Sequence, residues 1–252
     1  MKTEYFEFCL VFEPSQIEHI KNLKQNLCDA LKFDGKNGVL RLENDRLFVA
    51  VKKEYEKQAK DIFKLHITKI VTENYKLKYF SCHIQDLNNL GNLKTIFLKV
   101  LTMFDVEQDM LEVEKNLRFE NVLVLDAFYR FRLNSLQKKW QQICDMTNEN
   151  TFFFSTNSLV FELLRFLLSS VKPKQDYLTL SVSHEHLQIL NAKNEVIFSQ
   201  NAQSVDSAII LKILDNYPKR IYVKNSEKLD EDFSNLMYSI FKNTLKPLYF
   251  DF

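Results

Sequence analysis

The sequence predicts a mixed α+β fold, and three observations carry that prediction. Two long central stretches, residues 119–146 and 152–171, keep an apolar helical period and are joined by the polar turn Thr147-Asn148-Glu149-Asn150. The segments on either side are shorter and more polar, with β-branched and aromatic runs that read as strands. Glycine occurs 3 times and proline 4 times against 22 phenylalanines, which disfavours turn-dense all-β folds and phosphate-cradling loops. The expected architecture is a small N-terminal α/β unit, a central helical hairpin, and a C-terminal unit of order β-β-β-α-β-α-β. The expected domains are residues 1–118 and 119–252, with the hairpin in the second.

In chain order, residues 5–12 (YFEFCLVF) form a strand. Pro14-Ser15 opens a helix to about Leu31, with Ile17, Ile20, Leu23, Leu27 and Leu31 on one stripe. A loop over residues 34–38 precedes two strands, 39–43 and 46–51, closed by the two-residue turn Asn44-Asp45. Residues 53–79 form an amphipathic helix that covers the sheet, with Tyr55, Ala59, Ile62, Phe63, His66, Ile67, Ile70 and Val71 facing inward. Residues 93–104 form a short helix, and the charged stretch 105–117 is either a helix in water or a loose connector.

In the first helix of the hairpin Val122, Leu125, Phe128, Tyr129, Leu133, Leu136, Trp140 and Ile143 form the stripe. The second is apolar over a wide arc and is expected to be enclosed on more than one side, ending before Pro173. Beyond Asp176 the period shortens to two. Strands are expected at 177–182, 187–191 and 195–198, then a helix at 205–216, a strand at 220–224, a helix at 229–241 and a last strand at 248–252. The last two strands are expected to be parallel.

Composition excludes several classes. The net charge of +1 lacks the basic surplus of a duplex-binding protein. Cys9, Cys28, Cys82 and Cys144 are scattered without CxxC spacing, which predicts free thiols in a reducing compartment. The most apolar window, 152–171, carries Glu162 and Arg165, so it reads as a core helix and not a membrane span. The start, Met1-Lys2-Thr3-Glu4, leads into an alternating segment and not an apolar run, so a cytoplasmic protein is expected. No GxSxG, Walker A, GxGxxG, HExxH or EF-hand pattern occurs.

Three elements together resemble a known family. They are Phe128-Tyr129-Arg130-Phe131-Arg132-Leu133, then Phe161-Glu162-Leu163-Leu164-Arg165-Phe166-Leu167-Leu168, then Tyr217-Pro218-Lys219-Arg220-Ile221-Tyr222-Val223. They are similar to the YtxC family of sporulation proteins of endospore-forming Firmicutes, over roughly the second half of the chain. Where the family more often has Ala-Pro-Arg-Lys, this chain has Tyr217-Pro218-Lys219-Arg220. The resemblance implies a role in or around spore formation, with no established molecular activity. The expected protein is cytoplasmic, non-enzymatic and without a cofactor, and it acts through a protein partner or as a structural or regulatory component.

The residues themselves nominate few sites. Arg130, Arg132 and Arg165 lie on the two central helices, and a guanidinium buried there needs hydrogen-bonded partners. One reading pairs them with Asp126, Glu149 or Glu162; the alternative is a cationic pocket for a phosphate or carboxylate ligand. His184 and His186 are two apart on a strand, point to one face, and could offer two metal ligands. Lys138 and Lys139 beside Trp140, and Lys219 and Arg220 near Tyr222, could contact a nucleic-acid backbone by charge and stacking. His66 reads as a satisfied core histidine. The final strand order resembles a ribonuclease-H-like fold, whose nucleases need converging carboxylates. Only Asp176 and Asp206 are well placed, and neither has an evident partner.

Overall fold

The computed structural model describes residues 4–31, 37–183, 186–201, 207–225 and 229–247. The chain runs through β1 (Tyr5–Val11), α1 (Ile17–Leu31), β2 (Gly38–Glu43), β3 (Arg46–Lys52), α2 (Glu56–Lys69), a π-helical turn (Ile70–Tyr75) and α3 (Lys76–His83). It continues through α4 (Leu93–Met103), α5 (Val106–Asn116), β4 (Val122–Val124), α6 (Leu125–Arg132), α7 (Asn134–Glu149) and α8 (Asn157–Ser169). Last come β5 (Gln175–Val182), β6 (His186–Leu190), β7 (Val196–Asn201), α9 (Ser207–Asp215), β8 (Pro218–Lys224), α10 (Glu231–Phe241) and β9 (Leu245–Pro247). The mixed α+β class is as the sequence predicts. The loop segment 34–36, the strand expected at 248–252, His184 and Asp206 lie outside the described residues.

The chain divides into two compact units that are discontinuous in sequence: Met1–His83 with Val106–Met146, and Ile84–Asp105 with Thr147–Phe252. The expected boundary at 118/119 was continuous. This division also corrects the central hairpin. Residues 119–146 do not form one helix; they break into β4, α6 and α7, with Leu133 turned out of helical geometry between the last two. Most of α7 belongs to the first unit, where it buries Leu136, Trp140 and Cys144, whereas α8 packs on α4 and α10 of the second. Each rod finds its apolar partner in a different core, and the periodicity that defines a helix does not choose that partner.

In the first unit the sheet order is β2-β3-β1-β4. β3 is antiparallel to both β1 and β2, and β4 runs parallel to β1. The Asn44-Asp45 turn forms as expected, with Asn44 at φ +47°, a left-handed conformation that asparagine tolerates. Alternation sends Phe6, Phe8, Leu10, Leu47, Val49, Val51 and Leu123 to one face, where α1 and α2 cover them. The stretch 105–117 is a helix, α5, solvated on one side, where Leu111 is 61% exposed, and anchored on the other by the fully buried Val113 and Asp109.

In the second unit the sheet order is β7-β6-β5-β8-β9. β5, β6 and β7 form an antiparallel meander, and β8 and β9 run parallel to β5, which is the element order read from the sequence. The enclosed helix of this unit is α4, buried along nearly its whole length at Ile96, Phe97, Leu98, Val100, Leu101, Thr102 and Met103. Helix α8, expected to be the enclosed one, leaves Phe166 67% exposed.

Candidate functional site

Arg130 and Arg132 belong to the first unit and Arg165 to the second. Arg130 bonds Asp126 at 2.8 Å, one helical turn back, as one sequence reading anticipates. Arg132 is on the surface and bonds Glu120 at 2.9 Å, so it is not the core guanidinium expected of a buried helix. Arg165 is half-buried and its Nη1 donates to the Ser239 carbonyl at 2.6 Å, near the C-terminus of α10. A cation there complements the helix dipole and one of the carbonyls left free at a helix end.

Arg165 and Lys219, 54 positions apart, line one cleft of about 290 Å³ together with Tyr217, Asn243 and Thr244. The C-terminal ends of α8 and α10 border it. Their carbonyls make the cleft an unfavourable place for an anion, and Arg165 offsets that field. Lys219 bonds Asp176 at 2.8 Å on the surface, which places that aspartate in an ion pair at the start of β5. The same pairing holds the Asp176 carboxyl below its usual range, chiefly through the Lys219 hydrogen bond.

His184 falls outside the described residues, and His186 opens β6 with its backbone N–H on the Ser183 hydroxyl. Among the described residues no group of three or more His, Cys, Asp or Glu side chains converges. The expected lysine–tryptophan surface is also corrected. Lys138 is exposed, but Trp140 is fully buried and offers no face for a base to stack on. Arg220 is exposed, and Tyr222 packs edge-on against Tyr177 at 5.7 Å. His66 is a core histidine as expected: it is 8% exposed, its Nε2 lies 2.8 Å from Asn26 Nδ2, and burial lowers its pKa.

Two features of the first unit escaped the sequence. One is a buried charge cluster. Lys76 and Asp109 have fully buried side chains 2.6 Å apart. Asp109 also accepts from Lys139 at 2.7 Å and from the Trp140 indole N–H at 3.1 Å. A carboxylate removed from water is tolerable only with such a set of donors. Around it runs a chain of rings: Tyr75 to Tyr129 at 4.5 Å, Tyr129 to Trp140 at 6.0 Å, Trp140 to Tyr79 at 5.8 Å. Burial pushes the Tyr75 hydroxyl up to about 12, with the neighbouring Gln16 side chain pulling the other way. Among the described residues that hydroxyl still lacks a hydrogen-bond partner of good geometry.

The other is an open sheet face. The side of β2-β3-β1-β4 turned away from α1 and α2 presents Val39, Phe48, Val122, Val124 and Tyr5, all substantially exposed. Register aligns Phe48, Cys9 and Val122 in one row across three strands, so these residues form a connected surface. The basic side chains around them are partnered, and Glu7 stands exposed on the same face. Arg41 bonds Glu43, Arg46 lies 3.7 Å from Asp45, and Lys52 donates to Asn37 at 3.4 Å. An alternating strand pattern with apolar residues on both faces was the sequence signal for it.

Compared with protein-family models, curated proteins and solved structures, the chain matches none. No helix among the described residues is long and apolar enough to cross a membrane.

Proposed function

We propose that this chain is a non-enzymatic, cytoplasmic, sporulation-associated protein that works by docking a protein partner on the open face of its first sheet. The single observation behind this reading is that sheet face. Its helices cover one side only, and Val39, Phe48, Val122, Val124 and Tyr5 stand in water on the other. Connected exposed apolar surface on a folded protein marks an interaction site. Valines offer a nucleic acid neither charge nor a stacking plane, and the nearby cations already have partners, so a protein surface suits it better than a single strand. The sporulation role rests on the resemblance to the YtxC family.

The test is complementation in the host. Loss of the gene should lower spore yield, and the wild-type chain should restore it. A Phe48→Glu, Val122→Glu double variant that folds normally by circular dichroism should fail to restore it. Full rescue by that variant rejects the docking surface, and normal sporulation without the gene rejects the role.

A further inference from the structure

Three independent observations fall on one turn of the first unit. Ile70–Tyr75 is π-helical inside a helix that is α-helical before and after it, and such widened turns collect at functional sites. The two buried hydroxyls without a hydrogen-bond partner among the described residues are Thr68, just before that turn, and Tyr75, its last residue. Lys76, the next residue, has a fully buried side chain held on Asp109 at 2.6 Å.

We propose that residues 70–75 are a register switch with a π state, described here, and an α state. Tightening the turn to α advances everything after it by one residue's step, about 100°. Lys76 then takes the direction that Leu77 holds now, which is 42% exposed. Tyr75 takes the direction of Lys76, toward Asp109, and its orphan hydroxyl gains a carboxylate acceptor. Phe80, now fully buried, turns outward in exchange. That exposure and the loss of the Lys76–Asp109 pair make the π register the ground state. The α register presents a lysine and a phenylalanine that the ground state hides, so any partner that binds them draws the helix across. Losing the ion pair shifts the balance the same way, because only the π register needs it.

Acylation of Lys76 by a succinimidyl ester, read by peptide mass spectrometry, tests the switch against hydrogen exchange of β1 and β3 in the same sample. In the wild-type chain Lys76 should be labelled at least about tenfold faster than global opening of the sheet allows. Deleting Thr72 removes the extra residue and with it the choice of register, so labelling should fall to the rate of global opening. Labelling of wild-type Lys76 at the global rate overturns the proposal. Fast labelling that survives deletion of Thr72 overturns it too, because fraying from the His83 end then explains the access. Should the deletion variant not fold, Asp109→Asn decides. It should raise Lys76 labelling relative to sheet exchange, and an unchanged ratio rejects the switch.

Discussion

Asp109 concentrates more of the first unit's polar chemistry than any other described side chain. Two ammonium groups and an indole N–H meet its carboxylate with no exposure to solvent. Removing one partner of a buried pair leaves an uncompensated charge, so Asp109→Ala should destabilise the first unit by about 3–5 kcal/mol. Urea unfolding followed through Trp140, the one tryptophan in the chain, measures this. Replacing both partners together, Lys76→Met with Asp109→Leu, should lose less, since no buried charge is left unpaired and the cost that remains is the Trp140 indole N–H without its acceptor. His66 gives the pH prediction. Burial lowers its folded pKa beneath the ordinary value of about 6.5, so the unfolded chain binds the proton more readily. Its contribution to stability is therefore complete above that ordinary value and is lost as pH falls through the folded one. His66→Gln should flatten this acid-side dependence in denaturation midpoints measured from pH 7 to pH 5.

At the scale of elements, helix ends and helix phase decide most. Asp230 caps α10, its Oδ1 accepting from the Phe233 N–H at 3.1 Å, and Arg165 meets the other end of the same helix. Asp230→Ala should remove about 1 kcal/mol. Arg165→Ala should remove about 0.3–1 kcal/mol, less so in high salt, which thermal melts at two ionic strengths would show. A larger loss that depended on added phosphate would revive a ligand role for Arg165. Helix phase explains the π turn. The buried positions Ala59, Phe63, Ile67, Val71, Tyr75 and Phe80 step by four and then five residues, more than the 3.6 of an α-helix. Over those five steps the stripe gains about three residues on an α-helix, and the widened turn takes back about one of them. The drift is visible in the sequence, but reading it requires knowing which of several apolar residues face inward.

For the whole molecule, two cores take the place of one hairpin-centred body. The open sheet face belongs to the first of them, and substitutions there should separate folding from function. Phe48→Glu is a change at a partly exposed site, so it should move stability by only about 0.5 kcal/mol by chemical denaturation while abolishing partner binding. A large loss of stability would instead mean that the face is part of a core.

Local pattern was enough for the class of fold, the Asn44-Asp45 turn, the buried His66 and the strand–helix order of the C-terminal sheet. Each of these follows from spacing between near neighbours in the chain, which the sequence displays directly. Tertiary structure alone decided which core each central helix joined, that Arg132 faces water, that Trp140 does not, and that Asp109 is a buried anchor inside a charged stretch. Those outcomes turn on contacts between residues far apart in the chain. A periodic stripe states that a helix has an inside, and only the packed structure supplies what that inside meets.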